Sequence, residues 1–477
     1  MKKSILYILG IGLLYLTSCY KDKGNYDYVD VPPPVVTNLD TLYNVTAGDS
    51  LIIAPKVALA AGNDDYICEW KFYIPGDTGA LEYEMKELRI VFGLGANRYP
   101  GLLRITDQNT GMKYFYNFTV VGKTEFTQGT LVFSDNGDHS TLSFIKPDGT
   151  VQAGIFEAIN RKQLAGGASQ LLHLQNRNYM NVLTAYWLIS KDDPDGGVQI
   201  DANTLQELKT LRAHFYEPPA TINVGQMYSH PFGTINGIIN DQLYIGSQET
   251  APFATYYGYF GAQVNGKYAM HQSYVHNIAE NPYGGYYLAF EKDKHYFMRF
   301  TNNTFMDTTY ELGPTKLDSA FNPKDLGMDL IHMTRFSDEE IYALCDSSGL
   351  LKELKFSVEF NNGGTVFHAS SMRDFVKPEL ISAATLWATS PIGVIYFSSN
   401  DKVYRYNPLN EEVVALTTDF NGKAVSLLKV QDNGNLLIVG VEGSIYYLDI
   451  SVGHQGDMKD KIDGIPGQPK DIFVRLN

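Results

Sequence analysis

The residues best suited to gripping a ligand lie in two glycine- and asparagine-rich stretches, "FATYYGYFGAQVNGKYAM" and "NPYGGYY". They carry Tyr256, Tyr257, Tyr259, Phe260, Tyr283, Tyr286 and Tyr287. Flat rings offer a large contact area at small entropy cost, so rings beside flexible backbone make sugar-stacking or peptide-gripping surfaces. The same rings are what β-strands bury between packed sheets, and both roles are open to these residues. Other chemistries find less support. The histidines are scattered singly. His271 and His276 are spaced for neither a helical ligand pair nor one strand face, and they read, like His230, as loop histidines. Two acidic turns, "SDNGDHS" (Asp135, Asp138) and "KDDPDGG" (Asp192, Asp193, Asp195), could attract calcium. That ion wants roughly six to eight oxygens, more than either turn supplies, and Asn-Gly and Asp-Gly also serve tight hairpin turns. A G-x-S-x-G elbow, an H-E-x-x-H pair, a G-x-x-x-x-G-K-[ST] phosphate loop and a C-x-x-C pair are all missing. The expectation is therefore a binding protein with no catalytic residue, metal or cofactor. A carboxylate pair for glycoside cleavage, roughly 5 to 10 Å apart in space, would leave no mark in the sequence.

One further residue carries chemistry of another kind. In "LYLTSCYKDKGNYDY" an apolar run stops at Cys19 and turns polar at once. Lys2 and Lys3 precede an uncharged stretch, Ile5 to Leu16. This is shorter than the roughly 20 residues needed to span a bilayer, and it fits the apolar core of a secretion signal. Leu16-Thr17-Ser18-Cys19 resembles the bacterial lipobox, in which the thiol takes a diacylglycerol and becomes the first residue of the mature chain. We expect residues 1–18 to be a lipoprotein signal peptide and Cys19 to be lipidated, palmitate being a typical acyl chain. Two or three acyl chains hold a protein on its bilayer, where one binds only marginally.

Composition narrows the remaining choices. The formal charge of −15 becomes about −17 without Lys2 and Lys3. An acidic body with no basic cluster argues against nucleic acid. Apart from Cys19 there are only Cys68 and Cys345, far apart, so they read as two separate buried thiols rather than a disulfide framework. At 477 residues, two folding units are expected.

The elements that must position these residues are β-strands. Residues 19–40, with Pro32, Pro33 and Pro34, read as a lipidated tether. Residues 41–122 read as an immunoglobulin- or PKD-like β-sandwich. In "YICEWKF", Tyr66, Cys68, Trp70 and Phe72 share one face. "LLRITDQNTGMKYFYNFTVVG" makes two strands around a turn, with Tyr114, Tyr116, Phe118 and Val120 on one face. Residues 123–477 then repeat an apolar strand, a polar turn and a second strand. The hairpins start near Thr130, Tyr186, Asp241, Gly285, Glu340, Gly393 and Asn435. Their spacing is that of four-stranded propeller blades, which predicts an all-β chain ending in a β-propeller of seven blades, within a range of six to eight. "NTLQELKTLRAH" (Asn203 to His214) is the one candidate helix between blades.

The cysteine followed by "YKDKGNYDY", the Trp-bearing module with "ITDQNTG", and "GTLVFSDNGD…LSFI" opening the repeats together resemble the PKD-like family lipoproteins of Bacteroidota. The resemblance covers essentially the whole mature chain. It implies an outer-membrane lipoprotein on the cell surface, working beside a SusC-like TonB-dependent transporter and its SusD-like lipoprotein partner. The implied function is capture of a nutrient, a peptide or an oligosaccharide. Of the family's functional residues only the lipidated Cys19 carries over. Lys21-Asp22-Lys23 departs from the acidic export signal usual in this phylum and leaves the membrane face open. The alternatives are a surface glycan- or peptide-degrading enzyme with its site in the propeller funnel, and a structural docking subunit with no ligand of its own.

Overall fold

The computed structural model describes residues 32–475 except 61, 75–78, 180, 251–253 and 362–363. Cys19, the signal segment and most of the expected tether lie outside the described residues. Among the described residues, no helix is long and apolar enough to cross a membrane. The chain divides into two compact units between Gly122 and Lys123.

The first unit is a β-sandwich. Its larger sheet runs in the order Leu42–Thr46, Lys113–Lys123, Asn97–Asp107, Tyr66–Tyr73, Ala80–Glu84. Two strand pairs complete it: Val35–Thr37 with Lys56–Ala58, and Ser50–Ile53 with Leu88–Val91. Cys68, Trp70 and Phe72 alternate inward as their period requires and meet Phe118, whose ring lies 5.7 Å from both Trp70 and Phe72. The indole has a polar end to satisfy, and Trp70 Nε1 donates to Met85 O at 2.8 Å. The expected tether ends too late: Val35–Thr37 is already a strand, because Val35 and its neighbours find a partner edge at Lys56–Ala58.

The second unit contains seven sheets among the described residues, here called blades I to VII in chain order. Their first hairpin strands are Gly129–Asp135, Val182–Ser190, Thr234–Ile239, Tyr286–Glu291, Glu340–Ser347, Val394–Ser399 and Leu436–Val441. Blade I is shared between the two ends of the unit. The last strand, Gln468–Arg475, pairs antiparallel with Gly129–Asp135, placing Leu131 opposite Phe473. Polar bonds then join successive blades, Val425 N of blade VII donating to Asn400 O of blade VI at 2.9 Å. Asp471 Oδ2 in blade I accepts from Leu171 N in blade II at 2.8 Å, and Ser229 Oγ in blade III accepts from His173 N in blade II at 3.0 Å. Gln272, just before blade IV, accepts from Gln226 N in blade III at 2.9 Å, and Ser273 Oγ accepts from Met333 N in blade V at 2.7 Å. Thr334 and Thr389 meet between blades V and VI, and Lys429 Nζ in blade VII returns to Asp471 Oδ1 at 2.7 Å. A ring of sheets stitched in this way, with its two chain ends in one sheet, is a β-propeller.

Two expectations are corrected here. Asn203 to His214 is not a helix. Asp201 Oδ1 accepts from the backbone of Asn203 and Thr204 at 2.9 and 2.8 Å, a turn that competes with helix. Glu207–Thr210 then becomes the outer strand of blade II, and only Arg212–His214 winds, as a 3₁₀ turn. The hairpin placed at Asp241 is displaced by one strand. The real one joins Thr234–Ile239 to Gln242–Ile245 through Asn240 and Asp241, both at positive φ (52° and 61°), the pair of left-handed residues that a tight hairpin turn favours. No second strand follows it among the described residues; Phe260 makes a single bridge to Gly246 instead.

Candidate functional site

That missing outer strand borders one of the openings of the propeller. A cleft of about 720 Å³ lies between blades III and IV. Blade III gives it His230, at the end of Val224–His230, and the stretch Gly246 to Glu249. The irregular chain beyond Phe260 adds Gln263 and Asn265. Blade IV adds Tyr283, in the loop before Tyr286–Glu291, and Asn302 and Asn303, in the turn between Tyr296–Thr301 and Thr304–Asp307.

His230 is buried and fixed in one tautomer. Its Nδ1 accepts from Phe232 N at 3.1 Å and lies 3.2 Å from Gln248 Nε2, so the proton of the neutral ring sits on Nε2. Burial, with smaller contributions from His276 and Arg177, pushes its pKa down to about 4. Asn236, also buried, donates through Nδ2 to Tyr228 and Tyr287 hydroxyls at 2.9 Å each, and its Oδ1 accepts from Gly246 N at 2.9 Å. Burial pushes the Tyr287 hydroxyl up to about 12. These groups make a rigid, uncharged floor. Above it Tyr283 stands 71% exposed, steadied from behind by Phe232 at 4.8 Å between ring centres and by Asn178 Nδ2, which donates to its hydroxyl at 3.0 Å. A ring held in place while still facing water can stack against a planar or ring-shaped ligand without losing much side-chain entropy. The amides of Gln248, Gln263, Asn265, Asn302 and Asn303 both donate and accept, which suits hydroxyls and peptide groups alike.

The seven aromatic residues singled out in the sequence divide sharply. Tyr283 and Tyr287 border the cleft. Tyr256 is exposed and lies beside Tyr216 and Tyr259 (6.0 and 5.3 Å between ring centres) in a neighbouring aromatic patch. Tyr216 joins that patch to the cleft, and Lys209 Nζ sits 4.2 Å over Tyr259. Tyr257 spends its hydroxyl on Phe232 O at 2.7 Å and holds the loop rather than a ligand. Phe260 and Tyr286 are core residues, which corrects the expectation that they contact a ligand. Phe260 fills the space between blades II and III, and Tyr286 packs in the core between blades IV and V, its hydroxyl donating to Asp338 at 2.8 Å.

Sequence reasoning missed Tyr216, Gln248, Gln263, Asn265, Asn302 and Asn303, and took His230 for an ordinary loop residue. Nothing in the composition of "TNNT" (Thr301 to Thr304) marks it as the rim of a cleft. The acidic turns are turn chemistry: Asp135 Oδ1 accepts from Gly137 N and Asp193 Oδ1 from Asp195 N, while Asp195 also pairs with Arg212. No group of three or more potential metal-ligating His, Cys, Asp or Glu side chains occurs among the described residues. Cys68 and Cys345 are free, buried thiols in different units, pushed up by burial to about 11 and about 12.

The fold is all-β, with a PKD-like β-sandwich followed by a propeller. The sequence model of the PKD-like family matches residues 19–167, which covers the sandwich and continues through the first hairpin of the propeller. No curated protein matches the chain. Among solved structures, a quinoprotein alcohol dehydrogenase-like protein from Bacteroides thetaiotaomicron is similar over 93% of this chain and 99% of its own, at 11% identity and a TM-score of 0.44. An auxiliary nutrient binding protein from the same organism is similar over 86% of this chain and 95% of its own, at 11% identity and a TM-score of 0.35. A functionally unknown protein from Desulfotomaculum acetoxidans is similar over 73% of this chain and 98% of its own, at 12% identity and a TM-score of 0.41. The fold assignment rests on the sheets and their closure.

Proposed function

We propose that the chain is a Bacteroidota outer-membrane lipoprotein that captures an oligosaccharide or peptide in the cleft between blades III and IV and hands it to a neighbouring SusCD-type importer. The observation that carries this reading is the cleft itself: an exposed, braced tyrosine and a rim of amides with one carboxylate, Glu249, over a buried neutral floor. Such a site supplies stacking and hydrogen bonds at small ordering cost, which is what reversible capture requires. Acylation of Cys19 would place the binder on the membrane of the transporter, so that proximity raises the local ligand concentration and weak contacts suffice. We propose binding without turnover, since the cleft residues act as holders.

The test is calorimetric titration of the soluble mature chain with glycan and peptide collections, beside Tyr283→Ala. A stacked ring lost from a hot-spot position is expected to weaken binding about 10- to 100-fold with circular dichroism unchanged. Ligand bound equally well without the Tyr283 ring would remove the cleft from the reading. Cleavage products accumulating in the same mixtures would replace capture by hydrolysis.

A further inference from the structure

A second cleft, of about 460 Å³, lies beside the first, and Asn302 and Asn303 belong to both. Its far wall carries Arg299 from blade IV and Thr365 from blade V. Arg299 is 7% exposed, and it is the one lysine or arginine that is buried among the described residues. Every other strongly buried charge of the propeller has an answer; Glu353, for example, meets Arg373 and Tyr406. Arg299 has no carboxylate partner among the described residues. Its guanidinium makes two long bonds to neutral oxygens, Nη1 to Thr301 Oγ1 at 3.3 Å and Nη2 to Thr309 O at 3.4 Å, and its Nε has no partner. Thr365 Oγ1, buried at the same cleft, is likewise without a partner. Burying a cation without an anion is expensive, and although Asp307 stands opposite Arg299 in the strand pairing of blade IV it makes no ion pair with it, which leaves a place for an anion from outside. A planar guanidinium matches a carboxylate best, through two parallel bonds.

We propose that Arg299 is a carboxylate-binding subsite, so that the captured ligand is acidic and reaches from the first cleft across the Asn302-Asn303 turn to this arginine. The inference rests on the capture reading and narrows its ligand to carboxylate-bearing molecules, either acidic sugars or acidic peptides. Asn302 stands at positive φ (49°), which keeps the shared turn tight, so one ligand can touch both sides of it.

Two probe pairs separate the sources: trigalacturonate against its methyl ester, and acetyl-Gly-Gly-Glu against the corresponding Gln peptide. Each is titrated at fixed ionic strength into the mature chain, Arg299→Gln and Tyr283→Ala. One acid is expected to bind about 10- to 100-fold more tightly than its neutral counterpart, the span of a charge-assisted pair. Arg299→Gln should erase that preference while leaving the neutral probe's affinity in place, and Arg299→Lys should restore only part of it. Equal affinity for acid and neutral probe in the unaltered chain would overturn the proposal, even if Arg299→Gln failed to fold. So would an acid preference that survives in a folded Arg299→Gln. An acid preference that depends on Arg299 but ignores Tyr283→Ala would instead keep this subsite and refute the capture cleft.

Discussion

Closure of the propeller should depend on one carboxylate. Asp471, on the last strand, takes the Leu171 N–H through Oδ2 (2.8 Å) and the Lys429 ammonium through Oδ1 (2.7 Å), thereby joining blade I to blades II and VII. Asp471→Ala orphans a backbone donor and strands a cation. The charged bond to Leu171 is worth about 1.5–3 kcal/mol. The Lys429 pair, partly exposed on both sides, adds only about 0.5–1 kcal/mol. The sum, about 2–4 kcal/mol, can be turned into a temperature. A unit of about 350 residues has an unfolding entropy near 0.7 kcal/mol per degree. Asp471→Ala should therefore lower the propeller's Tm by about 3–6 °C in differential scanning calorimetry. Asp471→Asn keeps a neutral acceptor for Leu171 but gives up the Lys429 pair and the charge assistance, and should lose about 60% of that. If Asp471→Ala melts within about a degree of the unaltered chain, the closing strand is held by its sheet alone and the ring of polar bonds is incidental.

Acidification offers a second test. The folded His230 ring takes a proton only near pH 4, whereas an unfolded histidine does so near pH 6.5. Its contribution is therefore complete above pH 6.5 and is lost as pH falls toward 4. Between pH 7 and 5 the unaltered chain should lose about 2 kcal/mol more stability than His230→Gln, measured by urea unfolding; equal losses would mean that the ring is solvated in the native state. Cys19→Ala should move the protein from the membrane pellet to the soluble fraction, and mass spectrometry of the native protein should find an acylated first residue; an intact leader or an unmodified Cys19 would end the anchored-capture reading.

The sandwich and most of the blades were legible because their residues obey period two without interruption. Tyr66 to Phe72 and the strand containing Phe118 each bury the face that alternation assigns, and hairpins such as the one starting at Glu340 are set by strong strand–turn–strand punctuation. Legibility failed where local bonding overruled pattern. Apolar spacing from Leu205 to Leu211 suggests a helix, but Leu205 stands at positive φ (56°) inside a turn organised by Asp201, which no periodicity count reveals. The candidate site was harder still. Tyrosines are dense enough that composition could point to the right blades, yet whether a ring faces a cleft or a neighbouring blade depends on contacts between residues far apart in the chain. Tyr286 and Tyr287 are adjacent and equally buried, and only the second borders the cleft.

The irregularity of blade III ties these observations together. A complete blade ends in an outer strand whose hydrogen bonds and side chains close off the space beside it. In blade III the chain leaves after Ile245, and Phe260 returns to bridge Gly246 on one side and Phe215 on the other. That return requires a near-naked backbone: a Cβ on Gly246 would stand 2.9 Å from both Gly258 O and Thr234 Cβ, and Gly258 itself sits at φ +82°. Phe260 takes the core position that an outer strand would fill, so blade III stays closed inside while its rim stays open. Thr234, Asn236, Gly246, Gly258 and Phe260 thus form one device that gives up regular strand pairing to hold a cleft open at no loss of core. Sequences that specify a fold break their own pattern mainly where a site needs it, and in this propeller the break and the cleft coincide.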